Sequence, residues 1–265
     1  MDPLDLTRAR LTDSDDLSTA VAWCAEHTAL PEVLELAGHH DAEVRRAVAQ
    51  ALPRLSEPPR PPAVVAALVA LSADPVAEVR DWACYALGTR LSDVDSPGLR
   101  DALAARLADT DPHTRCEALL GLARRRDPRA LHAVRERLAG EDVRLTEVQA
   151  AGALGDPSLH VLVRAHLAGW GPEAVPKVCA ALRLTDPDGV GDDLLDGLAA
   201  WLAGPDDNRY WWSVELHVLD QAEYRSVEIA EAVWHRLAGD DDAVGRLMTS
   251  RLASLAQAHG WELPS

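Results

Sequence analysis

Ten histidines, four cysteines and 43 acidic residues could in principle supply a metal site, a thiol nucleophile or an acid–base pair, provided that spacing brings them together. The spacing argues against it. Cys24, Cys84, Cys116 and Cys179 are scattered, and no two are close enough for a zinc or dithiol motif, so they read as small buried thiols of a reducing compartment. His39-His40-Asp41 is the densest group, but it falls on an inter-helix turn, where consecutive side chains rarely converge on one ion. His160 and His166 are six apart and share a helical face poorly, and Glu231 with His235, at i and i+4, makes a pair and not a site. No glycine-rich phosphate loop, nucleophile elbow or zinc-protease motif is present. The expectation is a protein without catalytic residues, metal or cofactor.

What remains is the chemistry of recognition. The net charge is −17, and Lys177 is the only lysine against 25 arginines. Residues 1–43 carry ten acids against two Arg, residues 186–207 carry seven Asp, and Asp240-Asp241-Asp242 adds a third acidic knot. Such blocks are solvated faces or steer a basic partner. A polyanionic duplex would be repelled unless one face were basic. The best local case is residues 100–140, with nine Arg against six acids and the run Arg124-Arg125-Arg126. That run also suits a helix C-terminus, where cations offset the dipole, and this is the reading preferred. Seven of the eleven Trp and Tyr residues follow residue 200: Trp201, Tyr210, Trp211, Trp212, Tyr224, Trp234 and Trp261. In a chain without Phe they serve as core fillers or as interface anchors; core filling is the preferred reading.

The elements that would position these groups follow from a repeat. Asp41 to Leu52, Glu78 to Gly88 and His113 to Leu122 align at a constant offset of 35, with weaker copies ending at Gly155 and Leu182. Val79, Ala83, Ala86 and Leu87 form one helical stripe whose small residues admit a close neighbour. Asp-Pro recurs at 74–75, 111–112, 127–128, 156–157 and 186–187, an N-cap followed by the first helical residue. Gly88, Gly140, Gly155, Gly169 and Gly204 suit left-handed C-terminal turns. Helix pairs are expected near 29–56, 61–92, 97–125, 128–155, 157–184, 187–222 and 225–259, each needing its neighbour to bury its stripe. The fold class is therefore all-α, a right-handed α-solenoid of stacked helical hairpins. Its expected divisions are an N-terminal cap over 1–28 with a helix near 14–27, repeats over 29–184, and degenerate repeats with a C-terminal cap over 185–265.

The core Asp…Val-Arg-x-x-Ala-x-x-Ala-Leu, carried by Asp74, Val79, Arg80, Ala83, Ala86 and Leu87 and again, with Thr for Val, by Asp111, Thr114, Arg115, Ala118 and Leu122, resembles HEAT-like repeats of the short bacterial type, within the broader HEAT/armadillo class of superhelices. The resemblance is clearest over 41–155. It implies that Arg45, Arg80 and Arg115 form a structural ladder with Asp residues of neighbouring hairpins, and that the second helix of each hairpin lines a concave face. HEAT-like deoxyhypusine hydroxylases carry His-Glu dipeptides, and this chain has none. Bilin lyases with related repeats bind a chromophore, for which no feature here speaks.

On the second helices, the residues opposite the core stripe are Glu78, Asp81, Trp82, Tyr85 and Thr89. Their counterparts are His113, Cys116, Glu117, Leu120 and Arg124 one repeat on, and Glu43, Arg46, Ala47, Gln50 and Arg54 one repeat back. The mixture of charge and aromatics suits a protein-binding groove. The expected site is Trp82 and Tyr85 as anchors, with Glu78, Asp81, Gln50, Arg46, Arg54, His113, Glu117 and Arg124 around them. The expected function is a non-enzymatic interaction module that binds a protein or peptide of basic character, in a sharper version an inhibitor or immunity-type protein. The alternative is a nucleic-acid binder or a HEAT-like DNA glycosylase. The acidic N-terminus and the lack of an apolar run of roughly 18–20 residues point to a soluble cytoplasmic chain.

Overall fold

The computed structural model describes residues 3–13, 17–27, 29–204 and 214–262, and among these it is helical without strands. In chain order the α-helices are α1 (Pro3–Asp13), α2 (Leu17–Glu26), α3 (Leu30–Glu35), α4 (Ala42–Ala51), α5 (Pro62–Leu71), α6 (Ala77–Tyr85), α7 (Pro97–Ala104), α8 (Pro112–Arg124), α9 (Pro128–Leu138), α10 (Leu145–Leu154), α11 (His160–Ala165), α12 (Val175–Leu184), α13 (Asp192–Ala203), α14 (Val214–Gln221), α15 (Ser226–Arg236), α16 (Asp241–Met248) and α17 (Arg251–Ala258). The chain divides into two compact units, 1–125 and 126–265.

In the N-terminal unit the hairpins α3/α4, α5/α6 and α7/α8 stack, with α4 on α6 and α6 on α8. The N-terminal segment holds two helices and not the single one expected: α1 packs on α2, α3 and α4. The expected core stripe is buried, with Val79, Ala83, Ala86 and Leu87 each at most 1% exposed. In the C-terminal unit α9/α10, α11/α12 and α13/α14 repeat the arrangement, α10 on α12 and α12 on α14. Three helices, α15 to α17, close it. Its core includes Leu198, Ile229, Val233, Leu252 and Trp261, with Trp201 and Trp234 half-buried against them. Those three tryptophans fill core, whereas Tyr224 is exposed. Tyr210, Trp211 and Trp212 lie outside the described residues. Each unit is thus a short α-solenoid.

Asp-Pro does two different jobs. Asp111, Asp127 and Asp156 cap as expected, accepting from the backbone N–H of Thr114 (2.7 Å), Arg129 (3.0 Å) and Ser158 (2.8 Å), with proline at the first helical position. Asp74 does not cap α6, which starts three residues later. Its carboxylate accepts from Val76 N–H at 2.9 Å and forms a two-point bond with Arg45 at 2.6 and 2.9 Å. Asp186 only closes a turn on Asp188 N–H at 3.0 Å, and α13 begins at Asp192.

The arginine ladder that the resemblance implies is built at Arg45 and Arg80, whereas Arg115 bonds only carbonyls among the described residues. Arg80 reaches Asp109 with two bonds of 2.8 and 2.7 Å, and not Asp111, which is engaged as a cap. The third nitrogen of each guanidinium, Arg45, Arg80 and Arg115 alike, donates to carbonyls at the turn ahead of its own helix. In sequence, the position 29 residues after Arg115, which is an aspartate for Arg45 and Arg80, is Arg144.

The glycine turns hold at Gly155 and Gly169, with φ of 58° and 92°, but Gly88, Gly140 and Gly204 are not left-handed. Gly88 lies inside a single π-turn, Ala86–Arg90, that continues α6. A Cβ on Gly88 would sit 2.8 Å from the carbonyl oxygen of Glu117. Glycine is needed there for close approach of two helices and not for its φ.

Candidate functional site

The second helices α4, α6 and α8 enclose a cleft of about 300 Å³. Seven of the ten residues expected at a site line it: Gln50, Arg54, Asp81, Trp82, Tyr85, His113 and Glu117. Ala49, Pro53, Ala86 and Arg90 complete the lining. Helical spacing explains the convergence, because Asp81, Trp82 and Tyr85 share one face of α6 while Gln50 and Glu117 approach from the flanking helices. The rings of Trp82 and Tyr85 meet edge to face, 5.7 Å between centroids and perpendicular. Gln50 fixes the indole. In the amide orientation that satisfies both donors, its oxygen accepts from Trp82 Nε1 at 3.0 Å and from Arg46 at 3.1 Å.

Three expected residues stand outside the lining. Arg46 is held by Glu43 at 2.7 Å and by Gln50, and so supports the indole indirectly. Glu78 is exposed at the start of α6. Arg124 lies in the last turn of α8 and acts on Glu117 through its charge. Ala47, Cys116 and Leu120, placed on the outer stripe by spacing, are buried. Neighbouring second helices pack side by side, so the flanks of the stripe are covered and only its centre stays open. Thr89 gives way to Arg90 for a different reason. The π-turn bonds Leu91 N–H to the Ala86 carbonyl, five residues back, and this shifts the outward position by one residue. No sequence period signals that shift.

The cleft holds two acids in an unfavourable setting. Burial pushes the Glu117 carboxyl up to about 7, the Asp81 charge adds to this, and Arg124 and the Thr89 hydroxyl oppose it. Asp81 is raised as well, first by burial, with His113 opposing and the carboxylates of Asp111 and Glu78 adding. Glu117 Oε2 is buried and has no hydrogen-bond partner among the described residues. Neither ring carries a stacked guanidinium among the described residues, unlike Trp23 under Arg10 at 5.5 Å and Tyr224 under Arg126 at 5.3 Å. A second cavity of about 300 Å³ in the C-terminal unit is lined by Trp201, Asp220 and Arg251, but there Arg251 already bonds Glu223 at 2.8 Å and lies 3.8 Å from Asp220.

The arginine run is consumed internally. Arg125 is buried and donates to the carbonyls of Gly121, Leu87, Leu91 and Val94 at 2.8–3.0 Å, which closes α8 and the π-turn together. Burial pulls its guanidinium down to about 10. Arg126 donates to the carbonyls of Glu223 and Tyr224. All four cysteines are free thiols, three of them buried, and burial raises Cys84.

Stacked hairpins joined by an Arg–Asp ladder define the class, and the chain belongs to the HEAT-repeat family, whose model matches residues 17–88 and 65–155. It is similar to protein YibA of Escherichia coli K12, 34% identical over 116 residues, which are 44% of this chain and 39% of YibA. The YibA of E. coli O157:H7 matches to the same extent. The match therefore spans about two fifths of the length of these curated relatives. The crystal structure of E. coli YibA has the same fold, with a TM-score of 0.51 and 24% identity over 68% of this chain and 67% of that one. The architecture is that of a repeat scaffold, and no helix among the described residues is long and apolar enough to cross a membrane.

Proposed function

We propose that this chain is a non-enzymatic recognition module that binds a segment of a partner protein in the α4–α6–α8 cleft, with Trp82 and Tyr85 as anchors. The observation that carries this reading is the perpendicular ring pair, held by Gln50 and open to solvent in a cleft of about 300 Å³. Large rigid aromatics in a shaped recess are the residues that dominate interface energetics. The net charge of −17 favours a basic partner, through long-range attraction that speeds encounter. An inhibitor of a basic protein in the cytoplasm fits both features.

The test is affinity capture from native lysate with the wild-type chain and with Trp82→Ala and Tyr85→Ala. The expected result is a partner that both substitutions weaken at least tenfold, with helical content unchanged. A partner captured equally by all three, at a surface that does not include the rings, overturns the reading.

A further inference from the structure

We infer that the cleft receives one cationic side chain of the partner, an arginine or a lysine, with its stem along the Trp82 and Tyr85 rings and its head on the carboxylates of Asp81 and Glu117. This rests on the proposed function and deepens it by naming the group that is recognised. Size is the first argument. A recess of about 300 Å³ is at the small end for ligand sites and suits a side chain better than a helix. Ring geometry is the second. Two perpendicular, half-buried rings line the cleft, and a ring face attracts a cation electrostatically and an aliphatic stem by contact.

The acids are the third argument and decide the sign. Glu117 Oε2 is a buried acceptor without a hydrogen-bond donor among the described residues, and such an acceptor is a standing cost until a donor arrives. Two desolvated carboxyls, Glu117 raised to about 7 by burial and the Asp81 charge and Asp81 itself raised by burial, line the same cleft, and a cation there relieves both. An apolar side chain would bury them further. An anion would add a third like charge. Guanidinium is favoured over ammonium because its planar fork stacks on a ring while donating to two carboxylates.

Charge is also graded along the cleft. Asp81 lies at the middle of α6, whereas exposed Arg54 and Arg90 lie beyond the carboxy-terminal ends of α4 and α6. The cationic head therefore points away from the carboxy-terminal ends of these helices, and any acidic residue flanking it in the partner meets Arg54 and Arg90.

The experiment uses the full chain labelled with nitrogen-15 and follows the indole N–H signal of Trp82, assigned by its loss in Trp82→Phe. The probes are N-acetyl-arginine amide and N-acetyl-citrulline amide, which match in shape and differ in charge. The expected result is a saturable shift with the arginine probe and at least tenfold weaker binding of the citrulline probe. The pair Asp81→Asn with Glu117→Gln is expected to weaken the arginine probe at least tenfold. Equal response to both probes, or no saturable shift with either, overturns the inference. The two readings separate cleanly. If a captured partner depends on Trp82 but survives Asp81→Asn with Glu117→Gln, the recognition module stands and the cation receptor falls. If the arginine probe saturates the cleft but no captured partner depends on Trp82, the cation receptor stands and the recognition module falls.

Discussion

Gly121 and Gly88 meet backbone to backbone, so closely that a Cβ on Gly121 would lie 2.7 Å from the Gly88 Cα and 2.8 Å from Leu103 Cδ1. This contact sets α8 against the π-turn that continues α6. Glu117 is one helical turn before Gly121 and Arg90 two residues after Gly88, so the same contact spaces an acid and an arginine of the cleft.

Gly121→Ala should therefore destabilise the protein by about 2 kcal/mol, the scale of overpacking in a filled interface. Gly98→Ala, in α7 with nothing within 4 Å of the added methyl group, should be neutral or slightly stabilising. Urea unfolding of the two variants checks this. Equal effects would mean that the close approach relaxes at no cost.

Removing one half of a ladder rung should cost more than removing both. The side chains of Arg80 and Asp109 are 11% and 4% exposed, so Asp109→Ala strands a nearly buried guanidinium, at a cost of about 3 kcal/mol. Arg80→Met combined with Asp109→Leu should recover most of that. Urea midpoints of the single and double variants test the order.

The ladder also sets the acid limb of stability. The Arg80 bond holds Asp109 below its ordinary value. For Asp74, burial pushes upward but the bonds from Arg45 and Val76 prevail, so it too is lowered. A carboxylate lowered in the folded state stabilises it fully above the unfolded value, here 3.8, and loses that contribution as pH falls through the folded value. Stability should drop steeply below about pH 4, and less so for Arg80→Met with Asp109→Leu, as read from urea midpoints between pH 6 and 2.5.

Glu117 carries the opposite sign. Its folded value of about 7 lies above the ordinary 4.5, so the folded state holds the extra proton and stability falls as pH rises from 4.5 to 7. Glu117→Gln should be more stable than wild type at pH 8 by about 2 kcal/mol, after allowance for its residual exposure, and the gap should close near pH 4.5. Melting temperatures at the two pH values decide it.

Arg125→Met should be severe, about 3 kcal/mol or more, because it leaves the carbonyls of Leu87, Leu91, Val94 and Gly121 without a shared donor. Lysine should not rescue it, since three donors on one nitrogen cannot span that fork. Hydrogen exchange over residues 87–94 would locate the damage.

The repeat was legible because apolar residues at i, i+4, i+7 and i+8 give a helix one face to bury, and Val79, Ala83, Ala86 and Leu87 are buried accordingly. The cleft was legible to the extent that the opposite face follows from the same arithmetic, which brings Trp82, Tyr85, Gln50 and Glu117 together. Where contacts between helices override the period, the reading departs from the structure. Gly88 looked like a terminator, yet its role depends on Gly121, which is distant in sequence, and the π-turn at this contact replaces Thr89 with Arg90. Asp111 matched the motif better than Asp109, because a capping aspartate and a ladder aspartate two residues apart look alike until the guanidinium chooses between them. Arg125 was expected to answer a helix dipole, but one of its four carbonyl partners belongs to its own helix and three come from the preceding segment.

The ladder uses Arg45, Asp74, Arg80 and Asp109, and the cleft uses none of them. In these beats the rungs and the cleft lining occupy separate positions. If the cleft binds as proposed, substitutions at positions 50, 54, 82 and 85 would change what it accepts and leave untouched the rungs that hold one hairpin to the next.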